Sequence, residues 1–99
     1  MLYLIISIKK GEKTMKLAYP CRFKLKDELY RINFRDFREI HCESRSYEDA
    51  LETAEECLNN LLEAMLEEEQ RIPSPSQPRA DEVLIPVRTD IAEKISYIS

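Results

Sequence analysis

The stretch SYEDALETAEECLNNLLEAML, residues 46–66, decides the fold of this chain. Its apolar side chains recur every three or four residues, which predicts an α-helix that packs one face on a sheet. Ser46 is predicted as the N-cap, and Asp49 stands where a side chain reaches back to the cap in a capping box. Glu48 and Asp49 also suit the positive end of the helix dipole. The predicted inward positions are Tyr47, Ala50, Leu51, Ala54, Cys57, Leu58, Leu61, Leu62 and Met65.

Before this helix, alternating apolar and polar residues predict antiparallel strands. Residues 16–25 form a half-buried strand on this pattern, and Pro20, which has no N–H to donate, predicts a sheet edge or a bulge there. A polar break at 26–28 and renewed alternation over 30–34 complete a hairpin. The predicted inward face of the first strand comprises Leu17, Tyr19, Cys21, Phe23 and Leu25.

A third, short strand is predicted before the helix. It turns Ile40 and Cys42 inward and His41 and Glu43 to the opposite face, because strand side chains alternate. Asp36 is expected to initiate the preceding turn, as aspartate commonly does through hydrogen bonds from its side chain to the backbone. The element order to this point is three strands followed by one long helix.

The residues after the helix predict one more strand. Residues 72–79 contain three prolines, which stop the helix and predict an extended connector that is too short to separate two domains. Residues 82–87, EVLIPV, predict a fourth strand, and Pro86 favours an edge position for it. The predicted fold class is therefore α+β, with a small antiparallel sheet of three early strands and one late strand covered by one long helix.

A short C-terminal helix completes the prediction. Asp90 and Glu93 have the spacing of a second capping box, and Ile91, Ile95 and Ile98 share one stripe of the helix. A helix this short is marginal without packing. Its stripe must therefore lie on the body of the domain, meet a second copy, or belong to a connection that continues further.

The length of 99 residues suits one domain, which we place at residues 15–99, with residues 1–14 as an N-terminal extension. Read back into codons, KKGEKTM (9–15) allows a purine-rich string before the ATG of Met15, so we hypothesise that Met15 is the natural start. The alternative is that residues 2–8 form an extra strand. The opening apolar run is too short for a membrane span and lacks the features of a secretory signal, so we expect a cytoplasmic protein.

Charge is distributed unevenly along the chain. Cations concentrate in the early strands, whereas residues 47–67 contain no lysine or arginine and many carboxylates. Such a helix repels nucleic acid and could dock on a basic protein, although a solvated helix face is the simpler interpretation. The three cysteines, Cys21, Cys42 and Cys57, are odd in number and widely spaced, which predicts reduced thiols in the cytoplasm rather than a disulfide framework.

The motifs for catalysis are weak. His41 and Cys42 are neighbours on one strand and face opposite ways, so they do not form a nucleophile and its base. His41 is the only histidine and Gly11 the only glycine, which argues against a zinc site and a phosphate-binding loop. Asp36, Glu39 and Glu43 could bind magnesium in principle, but nothing in their spacing requires it. We predict no cofactor and no enzyme.

The order of several short motifs resembles the HicB-type antitoxin family over residues 15–87. The motifs are YP at 19–20, INFRDF at 32–37, ESRSYEDALETAEECL at 43–58 and RIPSPS at 71–76. Arg35 replaces the proline of the family's Pro-Asp-Leu turn, and Glu69 with Gln70 stands where a helix-ending glycine is common. The positions that match the family's motifs are Tyr19, Pro20, Ser46, Asp49 and Ala50.

This resemblance implies a partial ribonuclease H-like fold and a protein partner. The partner is a HicA-type toxin, a small basic protein that cleaves messenger RNA, and the antitoxin is expected to be a homodimer. The acidic helix would complement such a toxin. We predict contacts with the toxin at Asp36, Phe37, Glu48, Glu52 and Glu55.

Three other expectations accompany the antitoxin hypothesis. Many family members continue into a DNA-binding domain, and since nothing follows Ser99 we expect no independent DNA binding by this chain. The competing hypothesis is a metal-dependent nuclease that uses Asp36, Glu39 and Glu43. A third is a remnant of an antitoxin that folds but has no partner left.

Overall fold

A computed structural model of the protein describes residues 17–98. The four strands form one antiparallel sheet in the order β3-β2-β1-β4, the long helix α1 covers one face of it, and the short helix α2 packs on α1. The elements are β1 (Ala18–Lys26), β2 (Leu29–Phe34), β3 (Phe37–Ser44), α1 (Tyr47–Glu67), β4 (Val83–Pro86) and α2 (Thr89–Ile98). The predicted α+β class and element order are confirmed, whereas the predictions for residues 1–14 and for Met15 lie outside the described residues.

The turn between β1 and β2 is a two-residue hairpin. Lys26 pairs with Leu29, and the two residues between them, Asp27 and Glu28, have φ values of 53° and 64°. Two consecutive left-handed residues define a type I′ turn, whose twist matches that of the flanking strands. The chain makes this turn without the glycine that usually occupies it.

Pro20 does not place β1 at an edge, and that prediction is wrong. β1 lies between β2 and β4. The Val87 N–H donates to the Leu17 carbonyl, so alternate residues from Leu17 onward direct their backbone groups towards β4 and Pro20 faces the other side. On that side β2 has already ended, since its last residue, Phe34, pairs with Cys21. The missing N–H of Pro20 therefore costs the sheet no hydrogen bond.

The two edge strands of the sheet, β3 and β4, differ in length and regularity. β4 is a short edge strand that contains Pro86, as predicted. β3, the other edge, is longer than predicted and contains a shift in register: Ile32 pairs with Cys42, but Phe34 pairs with Phe37. In a regular strand, residues three positions apart point to opposite faces. The extra residues of β3 change this alternation, so that Phe37 and Ile40 are both buried. His41 and Glu43 are exposed, as predicted.

Leu25 is an exception to the predicted inward face of β1, because its side chain is 58% exposed. Tyr19 and Cys21 are fully buried and Phe23 is partly buried, so burial falls along the strand towards the hairpin. β4 pairs only with residues 18–21 of β1. The far half of β1 therefore has a neighbour on one side only.

The predicted N-cap of α1 is confirmed, because the Ser46 Oγ accepts a hydrogen bond of 3.1 Å from the Asp49 N–H. Two of its predicted inward residues, Tyr47 and Leu51, are exposed. Leu51 shares a row of the helix with Asn59, eight residues on, and Asn59 contacts the end of β4. Leu51, two turns before Asn59, lies nearer the hairpin end of the sheet, beyond Val83 where β4 begins, so β4 does not cover it. The buried residues of α1 are Ala50, Ala54, Leu58, Asn59, Leu62 and Met65.

The C-terminus of α1 is closed by a Schellman motif. The Gln70 N–H donates to the Met65 carbonyl at 2.8 Å and the Glu69 N–H to the Leu66 carbonyl at 3.1 Å. Glu69 has a φ of 56°, in the left-handed region that glycine normally occupies at this position. Glu69 therefore replaces the family's usual glycine and still adopts the left-handed conformation of the motif.

The second capping box is not formed, so that prediction is wrong. Helix α2 begins before Asp90, with the Ala92 N–H donating to the Arg88 carbonyl, and the Asp90 carboxylate accepts a hydrogen bond from the Arg88 guanidinium. Ile91 is buried and Ile95 is partly buried against the core. The isoleucine stripe, as far as its side chains are described, lies on the body of the domain.

The expectation of three free thiols is also wrong, because Cys42 and Cys57 form a disulfide. The bond joins the edge strand β3 to the middle of α1 and closes a loop with a sequence separation of 15. Cys21 is a free thiol and fully buried, and burial raises its pKa to about 12. The helical and strand periods bring Cys42 and Cys57 to the same interface, which their sequence spacing alone did not indicate.

Candidate partner-binding surface

The outer face of α1 is an acidic groove. It is open to solvent, and its lining residues are Ser44, Arg45, Asp49, Glu52, Thr53, Glu55, Glu56, Asn59, Asn60 and Arg88. Helix α1 contains no lysine or arginine, so its carboxylates depend on other elements for counter-charges. We call the surface formed by these residues the acidic groove.

The carboxylates that line the acidic groove form no salt bridge within the described residues, although Arg45 and Arg88 line the same groove. Arg88 donates to the Glu63 carboxylate at 2.7 Å and to Asp90, so its guanidinium is already engaged. Among the described residues, Glu52 and Glu55 form no salt bridge. Unpaired like charges along one helix face produce a negative potential, which attracts a cationic surface.

The predicted toxin-contact residues fall in two places. Glu52 and Glu55 line the acidic groove, and Glu48 is exposed in the first turn of the same helix. Asp36 lies in the turn between β2 and β3, and Phe37 is the first residue of β3. Phe37 is buried and packs edge-on against the Tyr19 ring with a centroid distance of 4.8 Å, so its side chain forms part of the core.

Asp36 holds the connector rather than its own turn. Its carboxylate accepts hydrogen bonds from the Ser76 N–H at 2.9 Å and from the Ser76 hydroxyl at 2.5 Å. The Tyr19 hydroxyl donates to the Pro73 carbonyl at 2.6 Å, and burial raises the Tyr19 pKa to about 12. The proline-rich segment is therefore fixed along the body of the domain.

Arg35 and Glu82 form a second attachment of the connector. The Arg35 guanidinium donates to both oxygens of Glu82, at 2.9 and 2.8 Å, and to the Gln77 carbonyl at 2.7 Å. The Glu82 side chain is 4% exposed, and the hydrogen bond from Arg35 lowers its pKa to about 2. We call the group Arg35, Asp36, Ser76 and Glu82 the connector clasp.

The carboxylates considered for magnesium do not converge. Asp36 is bound to Ser76, Glu43 pairs with Arg31 at 3.4 Å, and Glu39 is exposed on β3. Within residues 17–98, no group of three or more histidine, cysteine or acidic side chains is arranged to hold a metal ion.

A comparison with protein-family models gives the relationship of the chain to known proteins. Residues 18–96, most of the chain, match the model described as "HicB_like antitoxin of bacterial toxin-antitoxin system". The chain belongs to the HicB-like antitoxin family. The match includes every element of the described fold, from β1 to the greater part of α2. A search of curated proteins finds no significant match.

The HicB-like domain contains no candidate for a membrane span in its described part. Neither α1 nor α2 combines the length and the apolar character that crossing a bilayer requires.

One structural residue of this HicB-like chain was missed in the sequence. Asn59 is 3% exposed, donates to the Glu55 and Pro86 carbonyls, and accepts a hydrogen bond from the Arg88 N–H at 2.8 Å. It therefore links α1 to the end of β4. Its position directly after Leu58, on the border of the apolar face, was the available signal, since a polar residue there must find partners when buried.

Proposed function

We propose that this HicB-like chain is an antitoxin that binds a small basic toxin of the HicA type and prevents it from cleaving messenger RNA. On this proposal the acidic groove covers the toxin's RNA-binding or catalytic surface. The observation that carries the proposal is the row of carboxylates on α1, including Glu52 and Glu55, that form no salt bridge within the described part of the chain. Membership of the antitoxin family supports a role in binding rather than catalysis.

The charge of the groove supports a protein partner over a nucleic acid. Phosphate groups are repelled by carboxylates, whereas a toxin surface that binds RNA must itself be positive. Complementary charge across such an interface accelerates association and selects the orientation of docking. We propose that the chain acts in the cytoplasm, where messenger RNA is translated. That the antitoxin is a homodimer stays a prediction.

Co-expression tests the proposal. A HicA-type toxin candidate, a short basic protein, is sought in the genes that neighbour this one. It is expressed alone and together with the chain, and bacterial growth and transcript integrity are followed. We expect growth arrest and cleaved transcripts with the basic protein alone, and both effects to disappear when this chain is present. A basic neighbour that is harmless alone, or whose toxicity this chain leaves unchanged, would contradict the antitoxin role and favour the remnant.

Charge reversal tests the surface. We expect the double variant Glu52→Lys and Glu55→Lys to slow association with the toxin by roughly 10- to 100-fold, with a weaker dependence on salt. The double variant Glu39→Lys and Glu93→Lys is the matched control, because both are exposed carboxylates outside the groove and the change in net charge is the same. Equal effects of the two changes would show that overall charge, and not the acidic groove, determines binding.

The nuclease hypothesis has its own test. It requires Asp36, Glu39 and Glu43 to act together, but Asp36 is bound to Ser76 and Glu43 to Arg31. We expect no magnesium-dependent RNA cleavage by the purified chain. Cleavage that disappears in Asp36→Asn, with an unchanged melting temperature, would establish the nuclease instead.

A further inference from the structure

The half of β1 next to the hairpin has a free backbone edge. β4 pairs with β1 only over residues 18–21, and beyond Cys21 β1 pairs with β2 alone. The Val87–Leu17 hydrogen bond fixes which residues face the β4 side, and by alternation Phe23 and Leu25 direct both N–H and C=O groups there. The type I′ hairpin requires the same assignment, because Lys26 and Leu29 flank the turn as a hydrogen-bonded pair.

No described element covers this edge. The residues that precede β4 do not continue its pairing along this edge, and the last contact with β1 on that side is the salt bridge between Asp81 and Arg22. Helix α2 contacts α1 and makes no contact with β1 among the described residues. A segment in extended conformation could therefore continue the line of β4 along residues 22–26.

An apolar shelf lies beside this edge on the helix side of the sheet. Leu25 is 58% exposed and sits opposite Tyr30, and the Tyr47 ring contacts Tyr30 and Phe23 with centroid distances of 6.0 and 5.3 Å. Leu51, one helical turn after Tyr47, is also exposed. Three exposed large apolar residues of the described chain, Leu25, Tyr47 and Leu51, thus lie on the helix side of this part of the sheet, and exposed apolar groups gathered in this way are typical of sites of association. We call Phe23, Leu25, Tyr47 and Leu51 the apolar shelf.

The opposite face of the same edge is cationic. Arg22, Lys24 and Lys26 alternate with the shelf residues and point away from the helix. Arg22 pairs with Asp81, whereas Lys24 and Lys26 form no salt bridge among the described residues. A strand docked here would therefore meet apolar groups on one face and ammonium groups on the other.

We propose that residues 22–26 of β1 are a docking site for an extended segment of a partner protein whose side chains alternate between apolar and acidic. The backbone groups of Phe23 and Leu25 provide its hydrogen bonds, the apolar shelf receives its apolar side chains, and Lys24 and Lys26 pair with its carboxylates. This site is separate from the acidic groove and does not rest on the proposed function.

A second copy of the chain does not fit the site. In every register of antiparallel self-pairing over residues 22–26 that keeps each side chain on its face, two of the cations Arg22, Lys24 and Lys26 lie opposite each other. Like charges directly opposite each other destabilise a strand pair. The chain's own residues 2–8 are apolar on both faces and contain no acid, so they do not complement the cations.

A peptide titration tests the proposal. The probe is a synthetic peptide of seven residues that alternates valine and glutamate, added to the full chain labelled with nitrogen-15. We expect chemical-shift changes confined to β1 and the first turns of α1, and at least fivefold slower hydrogen exchange at the Phe23 and Leu25 amides. A matched peptide with lysine in place of glutamate is expected to bind at least tenfold more weakly.

Two proline variants separate edge docking from general effects. Leu25→Pro removes an N–H that β2 does not use, so the fold should persist while peptide binding falls at least tenfold. Leu84→Pro is the control. Leu84 is 52% exposed on the edge strand β4, and its N–H faces away from β1, so proline removes no hydrogen bond of the sheet there either. If Leu25→Pro does not fold, Leu25→Glu, which places an acid on the apolar shelf, should cause the same loss.

Several outcomes would overturn the proposal. They are no binding of the valine–glutamate peptide, equal binding of both peptides, and an equal loss in the Leu84→Pro control. Concentration-dependent protection of the Phe23 and Leu25 amides without peptide would assign the edge to a second copy. Protection that disappears when the chain is started at Met15 would assign it to the chain's own N-terminal residues.

Discussion

Replacing Glu82 with glutamine is expected to lower the free energy of unfolding by about 2 kcal/mol at pH 7. The change keeps the shape of the side chain and removes the charge that Arg35 binds with two hydrogen bonds. Since Glu82 is almost fully buried, its carboxylate receives little compensation from water. The connector clasp therefore loses its strongest electrostatic contact.

The magnitude follows from the pKa of Glu82, which is lowered from 4.5 to about 2. One pKa unit corresponds to about 1.4 kcal/mol, so the full effect is at most about 3.4 kcal/mol. Arg35 is 30% exposed, and solvent screens the pair, which reduces the expected loss to about 2 kcal/mol. For a domain of this size the melting temperature should fall by roughly 10 °C.

The effect should depend on pH in one direction. Because the pKa of Glu82 is lower in the folded protein than in the unfolded chain, its stabilisation is complete above 4.5 and is lost as the pH falls towards about 2. The difference between wild type and Glu82→Gln should therefore shrink to less than half its value by pH 3.

Urea unfolding followed by circular dichroism at pH 7 and pH 3 measures both quantities. The control is Asp81→Asn, which removes the neighbouring pair with Arg22, whose two side chains are 54% and 56% exposed. That change should cost less than about 0.5 kcal/mol, as is usual for exposed pairs. Equal, small and pH-independent losses in the two variants would refute the structural role assigned to the clasp.

Three further changes have expected outcomes that urea unfolding can check. Glu69→Gly should raise the free energy of unfolding by about 1 kcal/mol because it relieves a left-handed residue, whereas Glu68→Gly, at a φ of -91°, should not. Reducing the Cys42–Cys57 disulfide should lower it by about 3 kcal/mol, the value for a loop of about 15 residues, and Cys42→Ser should make stability insensitive to reductant. Asn59→Leu should cost about 1–3 kcal/mol because the Arg88 N–H and the Pro86 carbonyl lose their partner, and a loss below about 0.5 kcal/mol would contradict that role.

Local sequence patterns predicted the elements more successfully than their contacts. The start of α1 followed from the spacing of Ser46 and Asp49, which lie three residues apart and need no distant partner. Leu25 and Leu51 have the correct period for burial but are exposed, because β4 begins only opposite Cys21 and does not cover the hairpin end of the sheet. The extent of β4 depends on pairing between residues far apart in the sequence, which periodicity does not report.

Local patterns were equally limited for the acidic groove, the connector clasp and the disulfide. The acidic face of α1 could be predicted, since charges on one helix face appear directly in the sequence. The bond between Asp36 and Ser76 and the pair of Arg35 with Glu82 span 40 and 47 positions, and nothing local distinguishes these residues from others of their type. The disulfide was missed for a related reason, because it depends on how α1 sits on β3.

The strand order has a consequence for synthesis on the ribosome. β1 lies in the interior of the finished sheet, yet its neighbour β4 is the last strand to be translated. At about 5–20 residues per second, the nascent chain presents the whole of one side of β1 for several seconds before Val83 and the residues after it emerge. During that interval a nascent chain cannot complete its sheet by itself, so chaperones or a neighbouring polypeptide have access to residues 18–21 of β1, which β4 later covers.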